Sequence, residues 1–456
     1  MINTYIKGSV QLAMAGLAVA LVLVCQAEAA GTPPDPAAFS ATLDAVVARE
    51  RPDGGWTLEG EHGERAQPFT LVMQVAETIA APLHLAPWDL LVVRSPGTPA
   101  AGLLLLAGER ITGRSVYLTT ARRAGDLLLA AQLASGGWFS EMPVEGARLS
   151  PWFRWVAVRT TLDDDVTPGA IRFLLALWQR TGDERYRQAA ERGLDLLLRA
   201  QLPSGAWPHV WRPEWLRTLR ASREDHPSLN DGLTPVIIET LVEAAAVLPR
   251  PELLAAARRG GDWLMAVQLP APRAGWAQQY DEGGRPAAMR RFEPPALATW
   301  ESRHAVDALD ALARGTGDRY WCLAARAAAR WLRDAAQSPG CWARFLALED
   351  GEPLYLDAGG ARVASIAAAR PGYDWQGDFG ISEMLLRMGL SDRPVDEAPL
   401  AGDPGACPGA PNPLHAHHSA RSLIAQAGMQ LAALEPAPRS PCAEAPIAVV
   451  DAGALR

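Results

Sequence analysis

The feature that most restricts what this chain can fold into is a recurrence. Gln132, Gln201, Gln268 and Gln337 each end an amphipathic helical pattern, at spacings of 69, 67 and 69 residues, and Trp138, Trp207, Trp276 and Trp342 follow them at spacings of 69, 69 and 66. Thr98-Pro99, Thr167-Pro168 and Thr234-Pro235 open a second helical segment in each copy, with Thr299 near the place expected for a fourth. A Thr N-cap with Pro at the first helical position is a start signal. Between the two segments stands a short turn, Thr112-Gly113, Thr181-Gly182-Asp183, Leu248-Pro249-Arg250-Pro251 or Thr316-Gly317-Asp318, where Gly and Pro stop one helix and start the next. The unit is therefore a helical hairpin with a long return loop. One hairpin cannot bury its own apolar faces, so hairpins stack side by side and, where the rotation closes, form a ring. The expected fold is all-α: an α/α toroid (an incomplete α/α barrel) built from repeated hairpins of about 67–69 residues. Its return loops gather at one end, the expected functional face.

The remainder of the chain divides around this array. Met1 to Ala29 reads as a signal peptide, with Lys7 ahead of an apolar run from about Leu12 to Val24 and Ala27-Glu28-Ala29 as a cleavage site. A secreted or periplasmic protein is expected. Residues 30–94 read as a linker and capping helices, including Gly54-Gly55-Trp56, residues 95–395 as the toroid, and residues 396–456 as a Pro/Gly/Ala-rich appendage with one helix. In an oxidising compartment Cys322, Cys341, Cys407 and Cys442 can form two disulfides, and Cys407 with Cys442 is the pair expected to bracket the terminal helix. No zinc spacing is present, and His415-x-His417-His418 reads as a polar helix start. A net charge of −8 argues against a general nucleic-acid binder. No stretch after the leader is long and apolar enough to span a membrane. Lys7 is the sole lysine, so beyond the leader the permanent cationic side chains are arginines, which suit bidentate binding of carboxylates.

Chemistry concentrates where a return loop meets the next helix. Thr160-Thr161-Leu162-Asp163-Asp164-Asp165-Val166-Thr167-Pro168 sets three carboxylates before a helix. Alone, they could simply complement the positive helix end. Ser228-Leu229-Asn230-Asp231-Gly232-Leu233-Thr234-Pro235 repeats the pattern 67 residues on, with Asp231 at the place of Asp164 and Asn230 at that of Asp163. Oxygen ligands at matched places in adjacent repeats converge.

The ordered set Arg172-Phe173-Leu174, Thr181-Gly182-Asp183, Gln201-x3-Gly205-Ala206-Trp207-Pro208, Leu229-Asn230-Asp231, Trp276-Ala277-Gln278-Gln279-Tyr280-Asp281, Arg290-Arg291-Phe292-Glu293-Pro294-Pro295 and Trp342-Ala343-Arg344-Phe345 resembles the polysaccharide lyase family 10 pectate lyases over roughly residues 95–390. The resemblance implies an α/α toroid that cleaves polygalacturonate, an acidic polysaccharide, by calcium-assisted β-elimination, here as a monomer. Abstracting a proton next to a carboxylate adds charge beside charge, so a bound Ca²⁺ and arginines would neutralise the carboxylate. Carried over by position, Asp163, Asp164 and Asp231 are expected to hold calcium, with Asp163 also reaching substrate. Arg290 matches the family's Brønsted base, a role that needs a perturbed site because guanidinium is normally protonated. Trp207, His209, Gln278, Gln279, Arg291 and Arg344 are the expected substrate contacts, with Trp276 and Asp281 also near the cleft. Against this stand turn packing for the tryptophans and pairing of Arg290 and Arg291 with Glu293. Asp357-Ala358-Gly359-Gly360 replaces the Gly-Arg-Asp-Gly stretch usual in the family, leaving Arg344 or Arg362 to substitute for an arginine. The alternatives are a non-catalytic uronate-binding toroid and a triterpene-cyclase-like barrel. The Gln-x3-Gly-x-Trp turns fit the latter, but 7% aromatic content disfavours it, since carbocation chemistry needs a rim of π faces.

Overall fold

A computed structural model describes residues 35–57, 90–145, 148–149, 159–219, 222–390 and 419–443. The expected signal peptide, Cys407, His415, His417 and His418 lie outside these residues. The chain enters through α1 (Pro36–Val47) and runs through four hairpins: α2 (Thr98–Thr112) with α3 (Ser115–Ala131), α4 (Val166–Thr181) with α5 (Glu184–Ala200), then past the short α6 (Glu214–Leu219) to α7 (Leu233–Val247) with α8 (Pro251–Val267), and α9 (Thr299–Thr316) with α10 (Cys322–Asp334). Two further helices, α11 (Ile381–Arg387) and α12 (Ala420–Leu434), follow. The expected hairpins are all present.

Helices α2, α4, α7 and α9 pack in that order side by side, each backed by its own outer partner. The inner helices are buried on nearly every side; in α4 each residue from Val166 to Leu177 is buried. Outer helices bury one stripe, as in α5, where Tyr186, Ala189, Ala190, Gly193, Leu194 and Leu197 face inward and charged residues face out. The sequence periodicity thus decides which ring a helix joins.

Short antiparallel pairs stitch each hairpin's entry loop to its exit loop. β1 (Leu90–Val92) pairs with β2 (Glu141–Glu145) around α2 and α3, and β2 also pairs with β3 (Arg148–Leu149). β4 (Thr160–Thr161) pairs with β5 (Val210–Trp211) around α4 and α5. A single bridge between Ser228 and Gln279 does the same around α7 and α8. β6 (Leu297–Ala298) pairs around α9 and α10 with a strand at Phe345–Leu346. The loops are therefore held at one end of the ring.

Each loop is locked by the recurring residues. Trp138, Trp207, Trp276 and Trp342 are buried, and their indole N–H groups donate to the carbonyls of Leu128, Leu197, Leu264 and Leu332 at 2.9, 2.7, 2.7 and 2.6 Å. Trp56 does the same to Val46 at 2.9 Å. The glutamines reach across repeats: Gln132 Nε2 donates to Gly136 O and to Ala189 O of the next outer helix, Gln201 to Gly205 O and Ala256 O, and Gln268 to Ala274 O and Ala324 O. Gly205 has φ of +102°, and a Cβ there would sit 2.3 Å from Arg259 O, so no side chain fits the turn.

Three expectations are corrected. Thr167 is not the N-cap; α4 starts at Val166, two residues before the expected Pro168, behind Asp165, and the Thr167 hydroxyl accepts the Trp138 N–H at 3.3 Å and donates to Thr161 O at 2.7 Å. Thr98 and Thr234 take the equivalent bonds from Trp56 and Trp207, each at 3.2 Å. In the fourth hairpin Thr299 opens α9 as expected and donates to Ala343 O at 2.8 Å, and Ser302 is the residue that accepts from the Trp276 N–H, at 2.9 Å. Finally, Cys442 is bonded to Cys322, 120 residues away, and not to Cys407. The reason is architectural: the described part of the C-terminal segment is no appendage. Helix α12 packs on α1 and α2 at the start of the array, and its Ile424, Ala427 and Leu431 join the main core. Beyond α12, Ser440 donates its N–H to Arg387 O in α11 at 3.1 Å and its hydroxyl to Asp310 in α9. The segment thus crosses from the first hairpin to the last and closes the ring.

Candidate functional site

Two loop ends with the same backbone form the site. Asp164 and Asp231 both have positive φ, 53° and 48°, each followed by a second left-handed residue, Asp165 (55°) and Gly232 (77°), just before an inner helix. Non-glycine residues seldom adopt this region, and they concentrate at functional sites. The flanking bonds also repeat: Leu162 N–H donates to His209 O and Leu229 N–H to Gln278 O, both at 2.9 Å. The same backbone recurs ahead of α11 at Phe379 and Gly380. There the αL side chain is a phenyl ring, so among the described residues only the second and third inner helices present a carboxylate from that position.

Ligand atoms of Asp163, Asp164 and Asp231 lie within 4.8 Å of one another. Asn230 Nδ2 ties two of them, donating to Asp163 Oδ2 at 3.1 Å and Asp231 Oδ2 at 2.6 Å, while its Oδ1 accepts from Gln278 at 2.6 Å. His209 is buried with both ring nitrogens at acceptors, Asp163 Oδ2 at 2.7 Å and Gln279 Oε1 at 2.8 Å. Burial alone would lower its pKa, but the adjoining Asp163 charge and these hydrogen bonds lift it to about 9, so the ring is an imidazolium clamp. Burial pushes Asp164 up to about 8, reinforced by Asp163 and Asp231 and opposed by Arg94 and Arg290. Asp231 is raised too, by burial and by Asp163. Oδ1 of Asp163 is buried without a hydrogen-bond partner. An all-oxygen set with mutual repulsion and an unsatisfied oxygen fits a hard cation.

Three arginines surround this set. Arg344 lies buried beneath it, bonded to Glu301 Oε1 at 3.0 Å, 3.4 Å from Asp231 Oδ1, and stacked over the Trp300 ring at 4.2 Å. Arg290 is half-exposed, and its Nε donates to Glu293 Oε2 at 2.7 Å. Glu293 is buried; its other oxygen accepts from the Tyr373 hydroxyl at 3.2 Å. Burial would lower the Arg290 pKa, but the Glu293 and Asp231 charges outweigh it and raise it, so the resting guanidinium is a cation. Arg94 approaches from the first hairpin's entry loop.

Of the expected contacts, the loops bring Asp163, Asp164, Asp231, His209, Gln278, Gln279, Arg290 and Arg344 together. Trp207 is a correction: it is fully buried and bonded to Leu197 O, so no ring face is open to a sugar, and Trp276 is placed alike. Gln278, Gln279 and His209 are buried as well, with hydrogen-bonding capacity spent inside the protein, so they support the carboxylates from below. Arg291 is exposed. Behind it lies the departing stretch: a Cβ on Gly360 would meet Arg291 O at 2.4 Å. Of the two possible substitutes, Arg344 is in the site, whereas Arg362 is exposed and 3.4 Å from Pro353 O. Glu301, Tyr373 and Arg94 were not anticipated; Glu301 alone carried a signal, a carboxylate in the first turn of a helix buried all round.

Residues 150–338 match the family model described as pectic acid lyase. Over this segment the chain is similar to the pectic acid lyases. The matched segment holds all three carboxylates and Arg290 but stops before Arg344 and begins after Arg94. A mutant of the family 10 polysaccharide lyase from Cellvibrio cellulosa, solved in complex with trigalacturonic acid, aligns with a TM-score of 0.50 at 20% identity over 64% of this chain and 98% of that one. The family 10 polysaccharide lyase from the same organism gives 0.50 and 20% over 66% and 99%. These structures bear out the α/α-toroid fold. No curated protein matches this chain. No helix among the described residues is long and apolar enough to cross a membrane.

Proposed function

We propose that this lyase-like enzyme cleaves polygalacturonate by calcium-assisted β-elimination, and that it does so as an exported monomer. The observation that carries the reading is the convergence of Asp163, Asp164 and Asp231 beside Arg290 on the loop face of a toroid whose matched segment is pectic acid lyase-like. Asp163, Asp164 and Asp231 would hold Ca²⁺, which when bound would withdraw charge from the uronate carboxylate and acidify the proton at C5. His209 and Asn230 fix the carboxylates before substrate arrives, so little reorganisation is left for the reaction itself. Glu293 holds Nε of Arg290, leaving its Nη groups for the uronate.

Arg290 is the proposed base. To accept the C5 proton it must first give up one of its own, and Glu293 works against that loss. The sign follows: the base form grows with pH, so turnover should climb through the alkaline range without a plateau. A plateau near neutral pH would remove Arg290 from this role.

Purified protein incubated with polygalacturonate should develop the ultraviolet absorbance of an unsaturated product with added Ca²⁺, and lose it with a chelator. The Arg290–Glu293 pair favours one second reading, a uronate-binding protein in which Arg290 is only a cation. Arg290→Ala separates the two: turnover should vanish while calcium-dependent binding persists, and retained turnover would end the base assignment.

A further inference from the structure

Arg94 lies outside the matched segment, yet its loop is bonded to the carboxylate cluster through Ser95 and Asp164. Val93 and Arg94 donate their N–H groups to Ser140 O at 2.9 and 3.1 Å, and Ser95 donates to Asp164 O at 3.1 Å, so the loop carrying Arg94 is bonded to the backbone of a proposed calcium ligand. Arg421 of α12 adds a bond to Ser95 O at 3.2 Å from the other side. Among the described residues the guanidinium is held at one edge. Its Nε donates to Glu141 Oε1 at 3.0 Å, with the Glu141 carboxylate 8% exposed and the Arg94 side chain 30% exposed. Among the described residues nothing else bonds its Nη groups.

The order of the ring gives this placement its meaning. Arg94 precedes α2, Asp163 and Asp164 precede α4, Asp231 precedes α7, and Arg290 precedes α9, and these four inner helices are successive neighbours. In ring order the carboxylates therefore lie between Arg94 and Arg290, whose side chains are 30% and 51% exposed. A cation on the carboxylates and an arginine on each side form a row of positive charge, which suits a polymer bearing one carboxylate per sugar.

We propose that Arg94 binds the carboxylate of a second uronate, on the side of the cluster away from Arg290, and so fixes how the acidic chain lies across the site. The inference rests on the reading of the site as polyuronate-binding. With Nε committed to Glu141, Arg94 presents its Nη edge, a fork that matches a carboxylate. Arg94 then acts on long substrates, which reach both arginines, and not on a single sugar, which reaches one.

The test uses the full chain carrying Arg290→Ala, so that binding is read without turnover, with polygalacturonate and trigalacturonate as probes and with Ca²⁺ affinity measured alongside. Arg94→Ala should weaken both uronate probes by about tenfold, the size expected for one charge-assisted contact. Ca²⁺ affinity and thermal midpoint should not move, and Arg94→Lys should recover part of the loss. Should Arg94→Ala fail to fold, Glu141→Gln carries the test, since it frees the guanidinium without removing it and should weaken binding in the same direction. Unchanged uronate affinity in whichever variant folds overturns the role of Arg94 alone. A parent that binds neither probe overturns the functional reading, and this inference with it.

Discussion

The two ends of each return loop behave oppositely. Where the loop leaves an outer helix, the same Gln, Gly and Trp recur and do the same thing: the indole binds its own helix, the glutamine binds the neighbour, and glycine admits the backbone. Where the loop enters the next inner helix, the backbone recurs but the side chains diverge, with Asp164, Asp231 and Phe379 at one left-handed position. Repetition at the first end builds the ring. At the second, a repeated strained backbone presents a side chain to the loop face, and changing that side chain in two repeats out of the set makes a site without altering the scaffold.

The largest effect expected from this contrast is at the exit end. Trp207→Ala removes a buried indole and its bond to Leu197 O, and should cost about 3–5 kcal/mol of stability, as other core tryptophan truncations do. Turnover per folded molecule should stay near the parent's. A selective loss of turnover with unchanged unfolding in denaturant would return Trp207 to the cleft and break the comparison.

At the entry end the balance should reverse. Asp231→Asn keeps the shape and removes one of three crowded carboxylates, so turnover should fall about 10²–10³-fold, the size of losing one charge contact to a transition state. Stability measured in chelator should hold or rise, because like charges no longer repel. If unfolding weakens in step with turnover, Asp231 is a structural residue and the site lies elsewhere.

This division also explains what could be read from the chain. Gln132, Gln201 and Gln268 and their tryptophans announce the hairpins because each device needs one residue type at one place. Asp163, Asp164 and Asp231 were legible for a related reason: their spacing matches the repeat, so convergence followed from stacking. Trp207 was misread because a turn-packing indole and a sugar platform leave the same trace in sequence. The closing segment was illegible as part of the ring, since Ser440 meets Asp310 from 130 residues away and its Pro-rich surroundings carry no helical period. Glu293, Tyr373 and Arg94 gain their roles only from loops that the ring brings together.

The smallest effect tests whether the exit ends work between repeats as well as within them. Gln201 Nε2 donates to Gly205 O in its own turn at 2.8 Å and to Ala256 O in α8 at 2.9 Å, and its Oε1 accepts from Arg259 Nε at 3.0 Å. Gln201→Ala leaves those carbonyls without their donor, which should cost about 1–3 kcal/mol. Gln132 makes the same bonds one repeat earlier, to Gly136 O and Ala189 O, so Gln132→Ala should cost a similar amount. The two sites share no partner, and distant, independent losses add. A double variant that unfolds in one cooperative step, with the summed loss, would show that the glutamines are independent rivets in a ring that folds as a unit. Two separated unfolding steps would instead mean that they hold together hairpins stable on their own, and the ring would be an array whose repeats part at their glutamines.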